Sequence, residues 1–271
     1  MSTRPQSSRA QPALFISHGA PTIPIDEGAP AKTFLEGLGA ALEAEAGKPT
    51  AILVVSAHWE TEKPTLSAVA QPETIHDFYG FPDALYRMRY PAPGAPDLAR
   101  RAADLLKAAG IEAGVDETRG LDHGAWTPLL LSHPAAEIPV LQLSVQPHLG
   151  PAHHRALGRA LKPLRDEGVL IVGSGAATHN LPEFRGQRPD TPAPDWVRAF
   201  ADWLEDRIEA GDDAALEAYR DAPEGARNHP TPEHFLPLFA ALGAGAEGAR
   251  GRTLHRSYRY GIIAMDCYRF D

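Results

Sequence analysis

The sequence predicts a single α/β domain with a mainly parallel central sheet flanked by helices and some antiparallel edge strands. Two observations carry that expectation. Short apolar runs bounded by turn residues alternate with longer segments whose apolar residues recur at helical spacing. The 26 prolines and 24 glycines are spread between those segments, so they punctuate turns and do not mark disorder. A length of 271 residues with 43% hydrophobic content suits one large domain.

Each element follows in order. Residues 1–12 are polar and read as a flexible start, not a signal peptide, leaving 13–271 as the domain. Residues 14–17 and 51–56 are apolar runs of the kind found in buried parallel strands. Between them, 31–46 places Phe34, Leu35, Leu38 and Leu42 at helical spacing. Residues 86–90 read as an antiparallel edge. Segment 95–109 repeats the helical period through Leu98, Ala102, Leu105 and Leu106, with Gly110 as its cap. Residues 139–145 form a β-rich run. Helix 151–166 has proline at its first position. Strand 169–173 then leads into a loop over 174–180. Residues 195–210 and 232–242 are helical in pattern. Residues 254–257 and 260–268 are strands meeting near Gly261 as a hairpin.

Composition narrows the function. The apolar runs are far shorter than a membrane span needs. A net charge of -9 disfavours a phosphate-binding surface, so no nucleic acid partner is expected. The one cysteine, Cys267, excludes an internal disulfide and suits a reducing compartment, so a cytoplasmic location is expected. It also means that a transition-metal site must be built from histidine and carboxylate.

Twelve histidines are available for such a site. His18, His58 and His179 each follow a predicted strand. In open α/β sheets ligands gather beyond the carboxyl ends of the strands, so these three imidazoles are expected to converge. A lone histidine at a strand end is more often a hydrogen-bonded turn residue than a ligand; three at one sheet edge favour a site. Small neighbours (Gly19, Ala57, Gly175, Ala176, Ala177) leave room for a metal and a substrate. His229 and His234 lie on either side of a helix start that contains Thr231, Pro232 and Glu233. A helix start explains the proline and the glutamate but not two histidines. His123 stands between Asp122 and Gly124 ahead of an apolar helix, where Asp122 either orients the imidazole or caps the helix. His153 and His154 read as solvated. His133, His148 and His255 have no informative context. His76 sits among aromatic residues. No GxGxxG, Walker A or GxSxG pattern is present, and Cys267 reads as a packed thiol.

Six runs, FISHGAP, VVSAHWE, DFYGFP, GLDHGAWTPL, GSGAATHNL and NHPTPEHFLPL, span residues 15–238 in that order. Together they resemble the DOPA 4,5-dioxygenase-like branch of the LigB superfamily of class III extradiol dioxygenases. The resemblance implies a mononuclear non-haem centre holding Fe(II) for activity, with Zn(II) as an alternative bound metal. It implies His18, His58 and His234 as metal ligands, with Glu233 as an alternative donor beside His234. It implies His179 as the catalytic acid and base, His123 as a catalytic and substrate-contacting residue, and His229 near the substrate. The implied reaction is extradiol (meta) ring cleavage of a catechol, of which DOPA is one candidate, with O2 as second substrate and a monomer or homodimer as the working form. Trp59, Phe78, Tyr79 and Trp126 are the expected pocket walls. Two competing readings remain: a zinc hydrolase, since three histidines and an open position activate water, and a non-catalytic Memo-like interaction protein on the same fold.

Overall fold

A computed structural model describes residues 10–246, 248 and 250–271. Its strands are β1 (Ala13–Ser17), β2 (Ala51–Glu60), β3 (Thr65–Ser67), β4 (Gly114–Asp116), β5 (Val140–Val145), β6 (Val169–Gly175), β7 (Arg252–His255), β8 (Tyr258–Arg259), β9 (Ile263–Ala264) and β10 (Cys267–Phe270). Its helices are α1 (Pro30–Ala46), α2 (Asp83–Arg87), α3 (Pro96–Ala108), α4 (His123–Ser132), α5 (Gly150–Leu161), α6 (Pro163–Asp166), α7 (Asp195–Ala210), α8 (Asp213–Glu217), α9 (Gly225–Asn228) and α10 (Leu236–Ala244).

The main sheet has the order β4-β3-β5-β2-β6-β1-β10-β7. Its centre, β5-β2-β6-β1, is parallel, and β10 and β7 add an antiparallel flank beside β1. The apolar runs are continuous because both faces are covered. Leu14, Ile16, Ile52, Val54, Leu170 and Val172 pack with α1 and α4 on one face. Phe15, Leu53, Val55 and Ile171 pack with α3, α5, α7 and α10 on the other. Among the described residues, no helix is long and apolar enough to cross a membrane.

The α/β class and the mainly parallel sheet agree with the sequence, and several boundaries move. Strand 51–56 runs on to Glu60 past a register shift, so His58 lies within the strand. Residues 86–90 are not a strand: Pro82 precedes a short helix, α2, with Asp83 in its first turn and Arg87 in its last, charges that suit the helix dipole. Helix 151–166 divides at Pro163, which has no N–H for the continuing ladder. Helix 232–242 begins only at Leu236, so His234 sits in the preceding turn. The C-terminal hairpin does turn at Gly261 (φ +69°), but it joins only β8 to β9 as a separate small sheet. Of the start read as flexible, residues 1–9 lie outside the described residues. Gln11 is buried, donates from Nε2 to Gly47 O at 3.0 Å, and accepts at its carbonyl from Arg165 Nε at 2.6 Å.

His154 is fully buried, not solvated. Its Nδ1–H donates to Gly150 O at 2.7 Å and its Nε2 accepts from the Gln146 N–H at 3.0 Å. The second bond requires the neutral ring, and burial pushes its pKa down to about 4 against the opposing effect of the Gly150 bond. A folded value below the ordinary 6.5 means that the unfolded chain takes up a proton that the native state refuses. The stabilisation is therefore complete above pH 6.5 and is lost as pH falls towards 4, by about 3 kcal/mol in all. Urea midpoints at pH 7 and pH 4.5 should fall further apart in the wild type than in His154→Gln; equal spacing would disprove the assignment.

Candidate metal centre

Three strand ends build the floor of the site. Strand β6 lies between β1 and β2, with Gly175 opposite Ser17 and Ser174 opposite Ser56. His18 is the next residue after β1, and its N–H donates to Gly175 O at 3.0 Å. His58 lies beyond the register shift of β2, and its N–H donates to Ser56 Oγ at 3.2 Å. His234 arrives from the turn before α10, fixed by a hydrogen bond from Ala176 N to His234 O of 2.9 Å. Glycine at 175 allows that approach, because a Cβ there would lie 2.1 Å from His234 O.

The three rings point the same edge inward. His58 Nε2 lies 3.0 Å from His18 Nε2 and 3.2 Å from His234 Nε2. Their Nδ1 edges face outward to hydrogen-bond partners or charge. His18 Nδ1 is 3.0 Å from Ser174 Oγ, whose own proton goes to Gly124 O, so the hydroxyl accepts from the ring. His234 Nδ1 donates to Glu233 Oε1 at 3.0 Å. His58 Nδ1 lies 3.4 Å from Asp77 Oδ2. Protons held at Nδ1 leave three Nε2 lone pairs directed at one another. Such an arrangement is repulsive without a cation between them. Metal–nitrogen bonds of about 2.0–2.1 Å place neighbouring donor nitrogens about 3 Å apart, so the donor types and the two His58 spacings fit one transition metal. Burial, reinforced by the neighbouring imidazoles, drives His18 and His234 well below the ordinary value and His58 to about 3, which keeps all three neutral as ligation needs.

Two further histidines border the same space. His123 is the first residue of α4, not part of a loop, and its ring centroid is 3.9 Å from that of His58. A ring nitrogen of His123 also lies within 4.8 Å of donor atoms of His18 and His58. Asp77 orients it: its Oδ1 accepts from the His123 N–H at 2.9 Å, and its Oδ2 lies 2.9 Å from Nδ1, off the line of an ideal hydrogen bond. Burial pushes the Asp77 carboxyl up, but hydrogen bonding to His123 outweighs it and holds the group at about 2. The sequence had offered Asp122 for that role. Asp122 instead caps α4 through Ala125 N and binds Ser56, Arg119 and Gln142. Arg119 then donates to His58 O at 3.2 Å. His179 lies flat on His234, centroids 3.5 Å apart, and burial lowers its pKa to about 4.

The remaining sequence candidates are placed differently. His229 does not line the cavity: it is fully buried against Phe200 and Phe235, and its Nε2 donates to Ala177 O at 2.9 Å. Glu233 lies behind His234 at its Nδ1. Of the four expected wall aromatics only Phe78 lines the cavity. Trp126 is buried and gives its Nε1–H to Ile75 O, Trp59 packs under Arg119, and Tyr79 is exposed. Pro21, Phe81, Leu181 and Ile263 complete the apolar lining. These four were missed because they come from loops and a hairpin, although Pro21, Phe81 and Leu181 stood in motifs, FISHGAP, DFYGFP and GSGAATHNL, that already marked the place.

Comparison with known proteins agrees with this geometry. The family described as the catalytic LigB subunit of aromatic ring-opening dioxygenase matches residues 12–270. The chain is 48% identical over 261 residues to a 4,5-DOPA dioxygenase extradiol of Beta vulgaris, covering 95% of each chain. It is 40% identical over 242 residues to a protein of the same description from Escherichia coli (strain K12), covering 88% of this chain and 86% of that one. In structure it resembles an uncharacterized protein from Escherichia coli K12, with a TM-score of 0.79 and 32% identity over 96% of this chain and 100% of that chain. A match of this extent, on a fold that gathers five histidines around one cavity, makes the chain a member of the LigB family of aromatic ring-opening dioxygenases.

Proposed function

We propose that this enzyme cleaves catechols beside the diol, with iron(II) held by His18, His58 and His234. The observation that carries the reading is the convergence of three Nε2 lone pairs, with His123 and His179 bordering the same cavity. The relatives described as 4,5-DOPA dioxygenases extradiol support the same chemistry. When bound, iron(II) supplies Lewis acidity towards the two hydroxyls and the redox chemistry of dioxygen.

The protein's own groups hold and move protons around that centre. His179, kept neutral by burial, accepts the proton of a phenolic hydroxyl and returns it later in the cycle. His123, with Asp77 at its Nδ1, presents its other nitrogen to a substrate oxygen and stabilises charge that develops there. Phe78 and its apolar neighbours exclude water and confine the ring. His229 acts at one remove: its bond to Ala177 O steadies the segment that leads to His179. The net reaction joins catechol and O2 to give a ring-opened, yellow semialdehyde containing both oxygen atoms.

Protein reloaded anaerobically with iron(II) should consume oxygen and form a yellow product on a catechol panel. His18→Ala and His58→Ala should each lose metal and at least about 100-fold in activity; oxygen uptake unchanged in either would sink the ligand assignment.

His179→Ala should retain metal while losing about 100-fold in kcat, the range of a general acid and base. An unchanged kcat would remove His179 from proton transfer. Asp77→Asn should weaken metal affinity or activity by roughly 10–100-fold, as loss of an orienting carboxylate does. A chromophoric chelator in competition reads the first quantity and oxygen uptake the second; no change in either would reject Asp77 as the orienting group.

A further inference from the structure

His58 lies in a stretch of β2 that the neighbouring strands leave unpaired. Residues 51–56 pair with β6 and residues 52–55 with β5, and pairing with β5 resumes only at Glu60. Among the described residues, Ala57, His58 and Trp59 therefore have no strand partner. A ligand has to be held to within about 0.5 Å, so the N–H and C=O of His58 must find partners outside the ladder.

Both partners lead to one carboxylate. Ser56 Oγ accepts from the His58 N–H at 3.2 Å and gives its own proton to Asp122 Oδ1 at 2.7 Å. On the other side a single nitrogen of Arg119, Nη2, donates to His58 O at 3.2 Å and to Asp122 Oδ2 at 2.9 Å. The four bonds form a ring that starts and ends on the backbone of one residue. Asp122 is itself fixed. It is fully buried, and Gln142 of β5 donates from Nε2 to its Oδ2 at 2.6 Å and accepts at Oε1 from its N–H at 3.0 Å. The Ala125 N–H adds a bond to Oδ1 at 3.2 Å, so Ser56, Arg119, Gln142 and Ala125 together fill the acceptor sites of the carboxylate. The Ala125 bond is the cap of α4, so the same group sets the helix whose first residue is His123. The two elements are in close contact there: a Cβ at Gly124 would lie 2.7 Å from Ser56 Oγ and 3.1 Å from His58 Cδ2.

We propose that Asp122 and Arg119 are positioning residues for the metal centre: with Ser56 they clamp the His58 backbone at both its N–H and its C=O, and they lock it to the start of α4. One buried carboxylate thereby sets the ligand His58 in register with the cavity residue His123. Asp77 acts on the two rings, whereas Asp122 and Arg119 act on the backbones that carry them. The proposal rests on the assignment of His58 as a ligand.

Cobalt(II) alone is the probe, because its visible bands report the geometry of its donors and its uptake needs no catalysis. Affinity is read by competition with a chromophoric chelator. Ser56→Ala and Arg119→Met should each weaken cobalt by roughly 10–100-fold, the cost of losing groups that orient a ligand, and should shift its visible bands. Arg119→Lys, which keeps a cation with donors for both acceptors, should recover most of the affinity. The two substitutions cut one ring, so the double variant should bind no more than about threefold more weakly than the weaker single variant, whereas independent effects would multiply. Urea midpoints check the fold. Arg119→Met leaves Asp122 a buried charge without its cation, which is destabilising; if that variant is unfolded, Ser56→Ala, which keeps the pair, decides the matter. Affinity and bands unchanged in folded Ser56→Ala, or multiplying effects in the double variant, would overturn the clamp and leave the ligand assignment standing. Wild-type protein that takes up no cobalt, or His58→Ala that binds it as tightly, would defeat the ligand assignment and the clamp together. The expected cobalt effects without oxygen uptake on iron would support the clamp and remove only the ring-cleavage reading.

Discussion

Pairing of β6 between β1 and β2 is the constraint on which the site depends. It sets three carboxyl-terminal strand ends level, with Ser17 against Gly175 and Ser56 against Ser174. Residues just past those ends share one edge of the sheet, however far apart they are in sequence. Small residues then let the layers close. Gly173 and Gly175 admit the backbone of Pro237 and His234 at distances that any Cβ would forbid. The α10 segment can therefore deliver a third imidazole to the two that the strands supply. Strands are stiff, so His18 and His58 are held at the sheet edge, and the Ala176 N–H ties the His234 turn to the same edge.

Electrostatics follows from that placement. Five imidazoles around one cavity, three of them buried and His58 and His179 partly so, cannot all be charged, since each charge would raise the cost of the next. Burial and mutual proximity keep His18, His58 and His234 neutral, and the outward partners Ser174, Glu233 and Asp77 favour the hydrogen at Nδ1 of each. The partners are unequal. Ser174 is neutral, so two carboxylates sit behind a centre whose direct donors are all neutral. Negative charge is thereby kept close to the proposed metal position without occupying it. The proposed three-histidine set differs from a two-histidine, one-carboxylate triad, and a cation held by it would be neutralised chiefly by a deprotonated diol. Asp77 lies against both His58 and His123, so in the proposed site it would couple metal geometry to substrate contact.

The sequence disclosed most of this frame because strand ends are legible from local pattern. Apolar runs followed by histidine located His18, His58 and His179, and the family motifs supplied His123 and His234. The misplacements have a common cause. Asp77 lies 46 residues before His123, and nothing in the local pattern of DFYGFP distinguishes it from a turn aspartate. Asp122 looked better because it is adjacent, but adjacency in sequence turned its carboxylate to the helix N–H groups and to Arg119. His229 looked like a site residue because it shares a motif with His234. Five residues later the chain has turned away from it, and its ring packs into the layer beneath. His154 looked solvated because helical spacing alone does not show that the first turn of α5 is covered by Gln146.

The cavity divides its labour between two kinds of structure. Its metal-facing floor comes from strand ends and the starts of α4 and α10, where the backbone is anchored on several sides. Its apolar wall comes from the loops after β1 and β6, the segment that carries Phe78 and Phe81, and the β8–β9 hairpin with Tyr260 at φ +54° and Gly261 at φ +69°. Substitution in the floor would disturb the proposed ligand geometry, which such sites hold to within about 0.5 Å. Substitution in the wall disturbs only side-chain contact, since the loops contribute few bonds to the sheet. The imidazole floor and the apolar wall thus come from different parts of the fold. Leu181 is where the two parts come closest: it stands two residues after His179, on the same loop, with its side chain half in the cavity and half in solvent.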